Sequence, residues 1–192
     1  DNLRVPSGVS YPLSLRMLTR KVFPEFFEKL PIQSVHDYPK RLEKAMEYVN
    51  RGGINVILTP GRYNSAFYEH SYLAKESGAI LASGDDLVVE KDKLYLKTYS
   101  GKKARVGAVY RRLDDDALDP IEFNPDSLIG VSNITQVYRS GNVAIMNSIG
   151  NGIADDKGIY YFVPDMIRYY MKEEPILQNA PTYLAFFEKD RN

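Results

Sequence analysis

Apolar and polar positions alternate along this chain with two periods, and the changes between them outline the expected elements. Residues 13–30 carry Leu15, Leu18, Val22, Phe23, Phe26, Phe27 and Leu30 at helical spacing, with Pro24 set to kink or restart the helix and Pro31 to end it. A second helix is expected over 38–50, with Leu42, Ala45, Met46 and Val49 as its stripe, Asp37 as N-cap and Gly52-Gly53 as its stop. The short continuous apolar run 54–58 then reads as a buried parallel strand. A helix over 65–77, closed by Gly78, and a strand over 79–82 complete a βαβ unit.

Farther along, the apolar segments 87–90 and 94–98 flank Lys91-Asp92-Lys93 and predict a β-hairpin that decorates one edge of the sheet. The run 106–110 returns to the core. Residues 120–130 are irregular, and a helix near 134–140 precedes a strand at 143–146. A helix from about 155 to 161 is expected to break at Pro164 and resume to 171, with a short helix over 183–189 in the tail. The fold class predicted is α/β: a mostly parallel sheet flanked by helices, Rossmann-like, with strands near 54–58, 79–82, 106–110 and 143–146. Three segments are expected: a helical stretch 1–36 continuing from an upstream region, an α/β domain 37–153, and a helical part 154–192. The chain opens in the middle of a patterned segment without Met, so it reads as a piece of a longer protein.

Composition narrows the function. Lys+Arg and Asp+Glu both number 25, so there is no net basic field to attract nucleic acid. No cysteine is present, which excludes disulfides and thiol catalysis and fits a reducing, cytoplasmic setting. No apolar run approaches the roughly 18 residues of a membrane span. Fifteen tyrosines without tryptophan point to many half-buried rings with polar tips.

Candidate chemistry lies where strands empty into loops, since ligands in open α/β sheets bind at the carboxyl ends of the strands. The densest such segment is 110–120, Tyr-Arg-Arg-Leu-Asp-Asp-Asp-Ala-Leu-Asp-Pro. Its charge suits a metal, a phosphate or a carboxylate, and equally a solvated acidic loop paired to its arginines. Successive strand residues face opposite sides, so only one of Arg111 and Arg112 is expected in the cleft. Arg112, nearer the loop, is the expected one, with Arg111 paired to an aspartate among 114–119. In loop 59–70, Gly61 allows close backbone approach, and Arg62, Tyr63, Asn64 and Ser65 open a helix whose amides favour an anion. Asn64 or Ser65 could equally be a plain cap. Glu69 and His70 lie within that helix, where a histidine is more often packed than catalytic. Around Gly150-Asn151-Gly152 the loop 147–157 is shaped to cradle phosphate without the Walker lysine spacing. Lys157 opposes the dipole of the helix it opens, which calls for a ligand or carboxylate beside it.

The segments PSGVSY, TPGRYNSAFYEH, YRRLDDDALDP, RSGNVAIMNSIGNGIADDK and VPDMIRYYMKEEPIL together resemble the circularly permuted ATP-grasp proteins, relatives of glutathionylspermidine synthase. The resemblance keeps their order over nearly the whole chain and is better to the uncharacterised branch than to the synthase. It implies a pre-ATP-grasp domain and the start of a nucleotide-binding part within an ATP-dependent carboxylate–amine ligase that uses ATP and Mg²⁺ and works through an acyl phosphate. Its implied partners are a small-molecule carboxylate, an amine and the remainder of the full-length chain. By the same resemblance Asn2 matches a magnesium-binding Asn whose Glu neighbour would precede residue 1. Arg4, Ser7 and Ser10 fall in the substrate-side segment, and Lys157 aligns loosely with a phosphate-contacting lysine. Arg111 and Arg112 would stabilise a carboxylate or acyl phosphate, and the 192 residues alone are expected to be inactive. Two rival readings stand: a non-catalytic binding or scaffolding module with decayed ligase machinery, and a nucleotide-sugar transferase using Asp114-Asp115-Asp116 as a metal-binding triplet.

Overall fold

The apolar runs become a six-stranded mixed sheet flanked by helices in the computed structural model, which describes residues 5–191. The described residues divide into two compact units, 5–148 and 149–191. The first contains α1 (Ser10–Val22), α2 (Pro24–Lys29), α3 (Tyr38–Val49), β1 (Ile54–Leu58), α4 (Phe67–Ser77), β2 (Ile80–Ala82), β3 (Leu87–Glu90), β4 (Lys93–Lys97), β5 (Lys103–Arg111), α5 (Asp115–Leu118), α6 (Ile134–Arg139) and β6 (Ala144–Met146). The second contains α7 (Lys157–Met166), with short 3₁₀ or π turns on either side.

β5 organises the sheet. β1 pairs with it in parallel along one side, and β2 continues beyond β1. On the other side, β4 pairs antiparallel with residues 103–105 and β6 pairs parallel with residues 108–110. The hairpin β3–β4 lies at the edge of the sheet beyond β5, as expected, and is joined to it through the antiparallel β4–β5 pairing. Because Leu58 pairs with Arg111 and Tyr110 with Met146, the carboxyl ends of β1, β5 and β6 lie at one rim.

Side-chain alternation sorts the faces. Ile57 and Tyr110 are register partners and pack with Leu42 and Met46 of α3 and Leu73 and Ala74 of α4. Full burial of such side chains contributes roughly 1.5–3 kcal/mol each. The extent of burial explains why β1 and the second half of β5 read as continuous apolar runs. Gly78, at φ +71°, closes α4 in the left-handed conformation.

The spacing over 13–30 gives helices that restart at Pro24 as expected, with most of the stripe exposed, Leu15 to 65% and Val22 to 64%. Several local expectations are corrected. Asp37 makes no side-chain cap; its carboxylate pairs with Arg41 at 2.6 Å, and the Pro at position 39 already removes one of the amides a cap would serve. Pro164 does not interrupt its helix, which runs through it into a π turn over Ile167–Met171. Proline leaves the carbonyl four residues earlier without its amide partner, and here the Asn179 side chain donates to Tyr160 O at 2.8 Å instead. Among the described residues of the tail, the expected helix over 183–189 is replaced by a 3₁₀ turn, Glu188–Asp190. Among the described residues no helix is long and apolar enough to cross a membrane.

Candidate functional site

The geometry of the rim follows from where β5 ends. Arg112 continues the ladder, its amide donating to Leu58 O at 2.8 Å, and falls on the same face as Tyr110, over whose ring its guanidinium lies at 5.8 Å. That face belongs to α3 and α4, so Arg112 meets Glu69, the third residue of α4. Its Nη2 donates to Glu69 Oε1 at 2.9 Å, and its Nη1 donates to the Pro6 carbonyl. The other carboxylate oxygen, Glu69 Oε2, accepts from Gly8 N (2.7 Å), Ser10 N (3.2 Å) and Ser10 Oγ (3.0 Å). Glu69 and Arg112 thus tie the segment before α1 onto the rim, and both are buried.

Arg111 faces the opposite side. It is fully buried, pairs with Asp115 at 2.7 Å, and donates to the carbonyls of Leu113, Asn147 and Ser148. Asn147 Nδ2 donates back to Arg111 O at 3.1 Å. This arginine is a clamp joining the carboxyl ends of β5 and β6. The acidic run is likewise divided: Asp115 answers Arg111, Asp119 accepts the amides of Ile121, Asn133 and Thr135 at the start of α6, and Asp114 and Asp116 line a cavity.

That cavity, about 260 Å³, opens at the carboxyl rim. Ser7, Asn64, His70, Arg112, Asp114 and Asp116 supply its polar lining. Arg112 is 4% exposed, and its Nε is buried with no hydrogen-bond partner. An unmatched buried donor costs about 1–3 kcal/mol, and Arg105 Nε shares this condition at the amino end of β5. His70, 1% exposed, places Nδ1 2.8 Å from Thr59 Oγ1. The Thr59 oxygen also accepts from Gly61 N at 3.2 Å, so the hydroxyl ties the imidazole to the turn after β1. Burial, reinforced by the neighbouring Arg112 charge and opposed by Glu69, pushes the His70 pKa down to about 4. The ring is neutral at pH 7 and too weakly basic to act as a general base there.

The expected site residues are distributed unevenly over this geometry. Ser7, Asn64 and Arg112 line the cavity, whereas Ser10 and Glu69 are joined behind it in the buried network. Asn64 Oδ1 also accepts from Ala66 N at 2.9 Å, a turn that leads into α4. Tyr63 is 99% exposed at a neighbouring hollow, and Ser65 is exposed. Asn151 and Lys157 belong to the unit 149–191. There Lys157 opens α7 as an exposed residue, and the carboxylate at its side is Asp156, which caps Gly158 N (2.7 Å) and Ile159 N (3.3 Å). Asn2 and Arg4 lie outside the described residues. Thr59, His70 and Pro6 were not among the expected residues; only the position of Thr59 and His70 around the first strand-to-helix loop signals them. Among the described residues no group of three His, Asp or Glu side chains could hold a metal ion.

Comparison with known proteins bears on all 192 residues. Residues 1–192 match the family described as a circularly permuted ATP-grasp. An uncharacterized protein of Synechocystis sp. is 50% identical across the whole chain, which spans 40% of that relative. An uncharacterized protein of Mycobacterium bovis is 42% identical, again across the whole chain and 35% of its own length. A protein of Frankia alni named "Putative glutamate--cysteine ligase 2-3" is 36% identical over 96% of the chain and 22% of its own length. The chain therefore spans well under half of the length of these relatives.

Proposed function

The chain belongs to the circularly permuted ATP-grasp family, and on that premise we propose that it is the substrate-side part of an ATP-dependent ligase that joins a carboxylate to an amine. The observation that carries the reading is the charged rim cavity where the carboxyl ends of β1 and β5 meet, lined by Arg112, His70, Asp114 and Asp116. The printed name of the Frankia relative supports the reaction class. Kinship with glutathionylspermidine synthase is part of the proposal and carries over the class of reaction without its substrates.

The reaction proceeds in two steps. A carboxylate oxygen takes the γ-phosphoryl group of ATP, giving an acyl phosphate and ADP. The amine nitrogen then attacks the acyl carbon, the carbon–oxygen bond to phosphate breaks, and amide, phosphate and a proton are released. Arg112 holds the carboxylate and faces the charge of the acyl phosphate, as pre-placed donors do most when water is excluded. His70 adds a neutral hydrogen bond. Arg111 acts at one remove, by fixing β5 to the turn after β6 and so setting where Arg112 stands.

The family uses ATP and Mg²⁺. Among the described residues no cluster of side chains is suited to magnesium. Asn2 remains the proposed metal ligand, with Arg4 beside the substrate, and Asn151 and Lys157 the proposed phosphate contacts. Lys157 would act beside a helix end whose amides Asp156 already serves.

The test uses a longer family protein carrying this segment, with carboxylates whose oxygens bear a heavy isotope. Amine-dependent ADP release with label appearing in the liberated phosphate is the expected result. Phosphate without label rules out the acyl phosphate, and amine-independent turnover or none rules out the ligase. The 192-residue chain assayed alone is expected to release no ADP.

A further inference from the structure

α1 is apolar on two opposite sides. Leu13 is buried against the rest of the unit, whereas Tyr11, Leu15, Leu18 and Val22 stand at i, i+4, i+7 and i+11 and form one narrow stripe. At 3.6 residues per turn that stripe lies about 180° around the helix from Leu13. Its four side chains are 52–65% exposed. Beside its first residue is the exposed Tyr68 ring, 6.1 Å from that of Tyr11, and beyond its last come Phe23 and Phe26, whose exposed rings pair at 5.8 Å. We propose that this stripe seats an amphipathic helix with acidic flanks, supplied by the part of a longer family chain that lies outside the matched 192 residues. The inference goes beyond the ligase reading and stands without it.

Three observations lead to it. First, single apolar side chains on a surface are ordinary, but a helix that is apolar on both sides belongs between two layers. The spacing i, i+4, i+7, i+11 is that of a seam between helices, where the ridge of one fills the groove of the other.

Second, the longer relatives contain the material to cover it. The chain spans 40% of the Synechocystis relative and 35% of the Mycobacterium bovis one, so more than half of each lies outside the matched region.

Third, charge selects the kind of partner. α1 carries Arg16, Arg20 and Lys21 and no acidic residue. A second copy laid stripe to stripe would bring the same cations against these, and like charges beside a helix seam oppose pairing. An acidic helix complements them. Such a helix would also be fixed relative to the carboxyl-end cavity, because α1 begins at Ser10, whose amide and hydroxyl Glu69 holds at the rim.

The test is hydroxyl-radical footprinting of the 192-residue chain and of a longer family protein carrying it, read by mass spectrometry. Leu15, Leu18 and Val22 should be labelled in the chain alone. In the longer protein their labelling should fall by roughly 5-fold, as exposures near 60% drop to those of interior residues. Equal labelling in the two proteins overturns the proposal. So does protection that appears only when vesicles of anionic phospholipid are added. Leu18→p-benzoylphenylalanine in the longer protein identifies the neighbour on irradiation: the cross-link should reach residues outside the 192, and a cross-link to a second copy or to 149–191 overturns the assignment. Leu15→Gln with Leu18→Gln keeps helix propensity and should leave the urea midpoint of the 192-residue chain unchanged. The same pair should lower the midpoint of the longer protein by about 1 M, the loss of two buried leucines at the usual urea dependence. An unmoved midpoint there also overturns the proposal.

Discussion

The two ends of the parallel strands both carry a cavity, and the larger is the less promising. The amino-end cavity measures about 590 Å³ and is lined by Glu43, Glu47, Asn50, Gly53, Asn55 and Ser77, among others. Its polar groups serve one another. Asn50 donates to Gly53 O at 3.1 Å and to Asn55 Oδ1 at 2.6 Å while accepting from Gly52 N at 2.7 Å, and Glu43 pairs with Lys40 at 2.6 Å. The carboxyl-end cavity, less than half that volume, keeps a buried guanidinium with an unused donor and a histidine held neutral. Both ends also keep a buried guanidinium nitrogen without a partner, Nε of Arg112 and Nε of Arg105, the latter beside Gly52 and Gly53. What distinguishes the carboxyl end is therefore its buried Arg112–Glu69 ion pair and its neutral histidine, whereas volume alone is a feature of packing.

The strongest way to break this contrast is Glu69→Gln. It leaves Arg112 buried without its counter-charge and loosens the segment held at Gly8 and Ser10, so unfolding free energy should fall by about 3 kcal/mol or more. Urea denaturation measures it, and a loss near zero would mean that the rim is not held by this pair. At the other end, Gly53→Ala should cost about 2–3 kcal/mol. Gly53 stands at φ +134°, and a Cβ there would come 2.3 Å from Arg105 O. The same denaturation series checks it. Unchanged stability would show the amino end to be pliable.

Arg112→Lys keeps the charge and removes the fork. Losing a charge-assisted bond of about 1.5–3 kcal/mol should slow ATP turnover of a longer family protein by roughly 10- to 150-fold. Steady-state ADP release reads this, and a parent-like rate would return the cavity to a structural role.

The effect of pH is smaller and has a definite sign. His70 takes up its proton at about 4 in the folded chain, against 6.5 for the ordinary group. The unfolded chain therefore binds more protons between these values, and stability falls as pH drops from about 6.5 toward 4. Denaturation across this window, compared with His70→Gln, isolates the contribution. A His70 imidazole, assigned by its loss in His70→Gln, titrating near 6.5 by nuclear magnetic resonance would refute the buried, neutral assignment. The smallest change is Glu43→Gln, which breaks only an exposed pair with Lys40 and should cost less than about 1 kcal/mol. A larger loss would give the amino-end cavity an importance that its geometry does not.

What the sequence by itself determined is what depends on near neighbours. The runs at 54–58 and 106–110 specify buried strands because full burial leaves no room for alternation, and Gly78 specifies a helix stop because only its backbone takes the left-handed turn at no cost. Alternation also required Arg111 and Arg112 to part company. Tertiary structure alone decided what each would meet. Glu69 is 43 residues from Arg112 and Pro6 is 106 residues from it, and no local pattern encodes such pairings. The same holds for the stripe of 13–30, whose helical period is plain although nothing in it says whether the face will be covered; most of it lies exposed. The acidic run shows the division most clearly. Four aspartates of similar appearance became a clamp partner, a helix cap and two cavity walls, because charge is written into the chain, whereas the partner that gives it a role arrives only when distant segments fold together.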